Sequence, residues 1–415
     1  MNCPDCGQPT LDADEFPSWC PACDWNVLTG IKPPAGRAAR MYARISRRLG
    51  TGLLDEQVAR RPARPRWTLA IVVAHLHAAA VLAVVLALPA AAVVLIVSGW
   101  PHWEAFALAL IPLAVFWVVR PRPANVPDDW RDAEVMPTVV ALVEQCAAAL
   151  GADPPHRVMI SAQWNASFLR AGWRRRPIVM LGLPLFGALP PQARAALIGH
   201  ELAHGLNGDP ARRLLPITAL RALFGGAALL RPDVLARARA QHQPSVAFAN
   251  FIMDLGADML SWMGELLLQL CGRESQRAEF LADAMAATVA GSDGAIELTE
   301  LVTLDATFLL VVQRHALTEL DSDLLEDVRT AMEDVPLVER QRLLRASELA
   351  DIRLDASHPP TAHRLAALRA HPCVPAVVVT QQQTAALDGE MAGQSARLTR
   401  ELVDRWRSRL THRYR

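Results

Sequence analysis

The chain has 415 residues, 52% of them hydrophobic, and its 42 basic and 42 acidic side chains cancel to a formal net charge of zero. That length holds one substantial domain with attachments, and the balanced charge provides no bulk attraction to nucleic acid, so no nucleic-acid partner is expected. Lys32 is the single lysine among many arginines, a compositional bias to which no function attaches. The N-terminus opens on cysteine and aspartate instead of a basic and then apolar run, so no cleavable signal peptide is expected.

Four of the seven cysteines fall within the first 23 residues, as Cys3-Pro-Asp-Cys6 and Cys20-Pro-Ala-Cys23 separated by thirteen residues. Two C-x-x-C knuckles at this spacing predict a zinc ribbon, because a tetrahedral zinc takes four thiolates from two tight turns. Gly7 lets the backbone curl round the first pair. Two disulfides would need an oxidising compartment, which nothing in the sequence indicates. A zinc ion held by Cys3, Cys6, Cys20 and Cys23 would be structural, since no coordination position stays open. Residues 1–30 are therefore expected to form the ribbon, followed by a connector over residues 31–66 that carries Arg37, Arg40, Arg44, Arg47, Arg48, Arg60, Arg61, Arg64 and Arg66.

From Trp67 to Ser98 there is no charged residue; only His75, His77 and Pro89 interrupt the apolar run. About 20 apolar residues cross a bilayer, so this stretch suffices with room for tilt. Ala105 to Val119 is a second charge-free run, containing Pro112 and followed by Arg120 and Arg122, and Trp100, Trp103 and Trp117 stand where an aromatic belt would. Residues 67–120 thus predict a two-helix transmembrane hairpin. Arginines flank the outer ends of both runs while the link between them has none. The positive-inside rule then puts the N-terminus and everything after Arg120 in the cytoplasm, in a multi-pass protein of the plasma membrane.

Beyond the hairpin, Met136 to Leu150 is amphipathic in the helical period, and Arg157–Gln163 and Pro177–Leu181 are short β-type runs bracketing Trp164-Asn165-Ala166-Ser167-Phe168. They predict a small sheet, one edge of which can pair with an extended peptide. The next helix is expected to begin at Pro190-Pro191, to stop at Asn207-Gly208, and to contain His200-Glu201-Leu202-Ala203-His204. Residues four apart share a helix face, so His200 and His204 can aim at one point. Glu201, about 100° further round, can reach a water at the same metal. This H-E-x-x-H pattern suits zinc-dependent peptide hydrolysis but needs a further ligand. Glu279 and Asp283 share a helix face in apolar surroundings. One of the two carboxylates can ligate the metal while the other holds a ligating histidine in one tautomer.

The order of hydrophobic hairpin, Asn165-Ala166-Ser167-Phe168, His200-Glu201-Leu202-Ala203-His204 with Asn207-Gly208-Asp209, Ser275-Gln276-Arg277-Ala278-Glu279-Phe280 with Ala282-Asp283, and Ser357-His358-Pro359-Pro360 with Arg364 resembles the HtpX and CAAX-prenyl-protease family of membrane metallopeptidases over residues 67–370. The resemblance implies His200, His204 and Glu279 as zinc ligands and Glu201 as general base. It places Asn165, His358 and Arg364 near the active site, where they contact substrate or the developing oxyanion. Members of that family carry two further membrane segments after the zinc helix. Here Leu214–Leu230 contains Pro216 and Arg221, and Val246–Leu270 contains Asp254, Asp258 and Glu265. Both are expected as amphipathic helices, since acids at mid-bilayer are expensive.

The expected fold is mainly α with a small β-sheet. A helical metallopeptidase domain with a glutamate as third zinc ligand spans residues 121–373, and a helical basic tail spans residues 374–415. Two zinc ions are expected, one catalytic and one in the ribbon, with polypeptide substrates and membrane lipid as partners. The expected function is a membrane-anchored zinc endopeptidase with a cytosol-facing active site that cleaves membrane or misfolded proteins. Processing of prenylated proteins and a catalytically silent ribbon-bearing adaptor are the alternatives.

Overall fold

The computed structural model describes residues 1–29, 50–63, 67–120, 125–172, 174–207, 214–231, 244–318, 322–350 and 358–413. Most of the arginine-rich connector, Arg122, Gly208, Asp209, Ser357 and the chain end at Tyr414 and Arg415 lie outside the described residues. The chain is mostly helical with one small mixed sheet and divides into two compact units. One unit comprises residues 1–64, 124–208 and 276–415, the other residues 65–123 and 209–275.

The first unit opens with the two cysteine knuckles. The Gly7 N–H donates to the Cys3 carbonyl and the Asp24 N–H to the Cys20 carbonyl, each closing a tight turn. Gly7 sits at φ 71°, where a side chain would be strained. A short helix follows over residues 50–59 (α1). The sheet is built from β1 Arg131–Asp132, β2 Arg157–Ser161, β3 Ala166–Ala171 and β4 Arg176–Gly182, in the order β1-β2-β4-β3, with the helix Pro137–Ala149 (α4) between β1 and β2 in the chain. β2 and β4 run parallel, while β1 and β3 are the antiparallel edges. Alternation sorts the central strands. Val158, Ile160, Val179 and Leu181 enter the main core, and Met159, Ile178 and Met180 pack with Trp130 in a smaller one.

After a short helix Leu183–Ala188 (α5), α6 runs from Pro191 to Leu206. Proline suits its first turn, where the missing N–H would find no helical partner, and Asn207 caps its end. Ala195, Ala196, Ile198 and Leu202 bury it in the main core together with Val139, Leu142 and Val143 of α4. The remaining helices of this unit are the stretch 276–301 of α8 (Pro244–Leu301), α9 Asp305–Thr318, α10 Leu324–Glu333, α11 Leu337–Ala350, α12 Thr361–Ala370 and α13 Gln381–Arg413. Leu398 and Leu402 of α13 are buried in the same core, so the C-terminal helix is part of this unit's packing.

The second unit holds α2 Leu69–Gly99, α3 Trp103–Val119, α7 Leu214–Leu230 and residues 244–275 of α8. Ala74, Ala78, Val81 and Val85 of α2 meet Ala219, Ala222 and Leu223 of α7 and Leu267 of α8. The alanines leave room for close approach of the helices. Large apolar side chains remain outside this core, among them Val84, Leu86, Val94, Val97, Leu110, Ile111 and Trp117. Among the described residues, α2 is one helix long and apolar enough to cross a membrane, while α3 and α7 are shorter apolar helices. The stretch 246–270 is helical, with Phe248, Phe251, Leu255, Met259 and Trp262 exposed. Arg231 pairs with Asp258 on its surface at 2.8 Å.

Candidate metal centre and its surroundings

Among the described residues, two groups of metal-ligating side chains gather in the first unit. In the knuckles, Cys3 Sγ lies 3.6 Å from Cys23 Sγ and Cys6 Sγ 3.6 Å from Cys20 Sγ, with no disulfide among them. A zinc–sulfur bond of about 2.3 Å puts the corners of a tetrahedron about 3.8 Å apart, so the four thiols fit that ion.

The second group joins α6 to α8. His200 Nε2 is 3.3 Å from His204 Nε2 and 3.6 Å from Glu279 Oε2, and His204 Nε2 is 3.6 Å from Glu279 Oε1. Zinc bonds of about 2.0–2.1 Å to nitrogen and oxygen give tetrahedral edges of about 3.3–3.4 Å. The three donors therefore already stand at the corners such an ion requires, and three protein donors leave a fourth corner open. A close approach of two helices makes this possible. A Cβ on Gly199 would come within 3.0 Å of the Val289 side chain and 3.3 Å of the Ala286 Cα, so a residue with no side chain beside His200 lets α8 pack against α6.

Further polar side chains hold the donors. His200 Nδ1 faces Asp283 Oδ1 at 3.1 Å along a bent line, short of a well-aligned hydrogen bond. Arg364 of α12 donates twice to Asp283, from Nε to Oδ2 at 2.8 Å and from Nη2 to Oδ1 at 2.6 Å. His358 places Nδ1 2.7 Å from Glu279 Oε2, and its side chain is 60% exposed, so this histidine stands at the solvent side of an otherwise buried cluster. Glu201 is also buried, and its charge contributes to holding Arg364 in the cationic form.

Burial alone would strip the charge from these groups, but their partners prevail. It tends to lower the pKa of His200, yet Asp283 and Glu279 raise it to about 10. It tends to raise Asp283, yet Arg364 and His200 hold it at about 2. Glu279 is held well below the ordinary carboxylate range against the same burial, by His200 and His358. Two ionised carboxylates with little solvent around them make a site suited to a cation at its centre.

Of the residues singled out in the sequence, His200, Glu201, His204, Glu279, Asp283, His358 and Arg364 come together here. Arg364 and His358 contact Asp283 and Glu279, a pairing between distant segments that no spacing in the sequence reveals. Asn165 is exposed before β3, its carbonyl accepts the Gly182 N–H at 2.7 Å, and it lines a pocket with Trp164, Phe308 and Arg405. The sheet reaches α6 through Phe168, whose ring would lie 2.5 Å from a Cβ on Gly205, the residue after His204.

A family model described as peptidase family M48 matches residues 133–371. Among curated proteins, Protease HtpX of Psychrobacter sp. (strain PRwf-1) is 26% identical over 178 residues, which is 42% of this chain and 55% of that protein. The chain thus spans about half the length of this curated relative. No solved structure matches.

Proposed function

Because the chain belongs to peptidase family M48, we propose that it is a membrane-anchored zinc endopeptidase that hydrolyses membrane or misfolded polypeptides on the cytosolic side. The observation that carries this reading is the set of three donors 3.3–3.6 Å apart, with Glu201 on the next helical position. The relative's description as a protease supports the reaction class. Anchoring is supported by the length and apolar surface of α2, and orientation by Arg60, Arg61 and Arg120 around the apolar helices.

A zinc ion held by His200, His204 and Glu279 supplies Lewis-acid polarisation of the scissile carbonyl and a water nucleophile near neutral pH. Glu201 takes the proton from the attacking water and passes it to the departing amine nitrogen. Asp283 fixes the orientation of His200, and Arg364 fixes Asp283, so neither has to touch substrate to matter. Among the described residues β3 is an edge strand with no strand on its outer side, and Phe168 ties it to α6, so a substrate backbone can add as a further strand beside the metal centre. His358, exposed at the rim, would meet the developing oxyanion once its hold on Glu279 is exchanged. Asn165 would contact the substrate chain where it enters along β3.

The test is Glu201→Gln in the purified full chain in detergent, with an unfolded protein as substrate. Hydrolysis should fall by about 10²–10⁴-fold, the range of a lost general base, while bound zinc stays as in wild type. Hydrolysis that survives the substitution or an excess of chelator would overturn the metallopeptidase reading, and a wild type that cleaves no unfolded protein would favour the silent adaptor.

A further inference from the structure

The cysteine module is built into the packing of the peptidase unit. Asp24, the residue after Cys23, accepts two hydrogen bonds from Arg345 of α11, at 2.8 Å from Nε and 2.8 Å from Nη2. Arg342, one turn earlier and buried, holds Glu339 with two of its nitrogens and donates from Nη1 to the Val27 carbonyl at 2.7 Å. Trp19, buried between the knuckles, donates its indole N–H to the Val338 carbonyl at 3.2 Å. Three separate points of α11 are thus satisfied by the module.

Helix α11 packs against α12, and α12 carries Arg364. The N-terminal segment bears on α12 a second time through α1. Leu53 is buried with Ala367 and with Phe280, the neighbour of Glu279, and His371 Nε2 contacts the Gln57 carbonyl at 2.8 Å. A continuous set of contacts therefore leads from the Cys20–Cys23 turn to the histidine that the peptidase centre uses.

We propose that the four-cysteine module is a brace for the peptidase centre: Asp24 and the Val27 carbonyl hold α11 through Arg345 and Arg342, and α11 seats α12, whose Arg364 fixes Asp283 against His200. Arg342 and Arg345 are positioning residues that act through α12 and never meet substrate. The proposal rests on the metal-centre assignment above and adds that the two metal sites are coupled. Since coupling is reciprocal, filling the histidine–glutamate site should tighten metal at the cysteines by the same factor.

Cobalt(II), added to the metal-free full chain in detergent, tests this. Thiolate ligation gives intense charge-transfer absorption that an imidazole–carboxylate site lacks, so the two sites are read separately. Asp24→Arg and Arg345→Asp should each weaken cobalt binding at the histidine–glutamate site on the order of tenfold, the lower range for outer-shell changes. For the zinc form they should lower kcat more than they change KM. The paired Asp24→Arg, Arg345→Asp variant should recover both. Trp19→Phe, which deletes the Val338 hydrogen bond and keeps an aromatic ring in the buried position, keeps the test informative should charge reversal prevent folding, and is expected to act in the same direction with a smaller effect. If cobalt affinity at the histidine–glutamate site is unchanged in every one of these variants, or the reversed pair restores nothing, the brace is overturned and the metal-centre reading stands. If wild type binds no cobalt outside the cysteines, both fall.

Discussion

The two candidate metal groups differ in how they are made. The four thiols come from two turns within the first 23 residues, each turn closed by its own backbone hydrogen bonds. The imidazole and carboxylate donors come from α6 and α8, two helices that meet because Gly199 has no side chain. Asp283 of α8, and Arg364 and His358 from a further segment, then hold those donors. The thiol group fills all four corners of a tetrahedron from short-range geometry, as a structural site does. The histidine–glutamate group fills three corners and depends on tertiary packing throughout, as a site that must keep one corner for reactants does. Damage to the second group should therefore arise from many places in the fold, and damage to the first from few.

The largest effect expected in this comparison is from Glu279→Gln. It should abolish hydrolysis by emptying the histidine–glutamate site, because an amide is a poorer ligand than a carboxylate, while the cysteine-bound metal stays. Metal analysis alongside the activity measurement decides it, and loss of both metals would break the separation of the two groups. Next come Asp283→Asn and Arg364→Ala, each expected to cost about 10 to 100-fold in metal affinity or activity as losses of outer-shell support. Equal activity in wild type and both variants would mean that His200 is held by something else.

Gly199→Ala tests the helix contact itself. Its Cβ would press on Val289 and on the Ala286 backbone, and overpacking of this kind costs about 1–3 kcal/mol, to be seen as a lowered unfolding midpoint of the metal-free protein. The smallest effect concerns acid. Burial disfavours the Asp283 carboxylate, but Arg364 holds its pKa at about 2 against an ordinary 3.8. A carboxyl with a depressed native pKa contributes stability that is present above the ordinary value and is lost as pH falls through the depressed one. For Asp283 that is about 2 kcal/mol. The stability gap between metal-free wild type and Asp283→Asn should be full near pH 5 and shrink towards pH 2. A gap independent of pH over that range would mean that Asp283 contributes through packing alone.

Much of this was legible in the sequence because it is periodic or short-range. The 3.6-residue period joins His200 to His204 and Glu279 to Asp283, the proline pair and Asn207 bound α6, the C-x-x-C spacing makes the thiol group, and the charge-free run from Trp67 marks the long apolar helix. Contacts that close over long stretches of chain were not legible. His358 on Glu279, Arg364 on Asp283 and Arg345 on Asp24 join segments whose separation in sequence carries no period, so only the packed helices bring them together. The sequence by itself determined which side chains can bind a metal and which helix faces they share, since helix geometry and turn chemistry act over a few residues. Helix spacing left Glu279 and Asp283 equivalent until the family resemblance singled out Glu279. Tertiary structure alone decided what holds that carboxylate in place and that the cysteine module packs on α11, because those outcomes depend on how side-chain volumes and buried charges are satisfied across the whole unit.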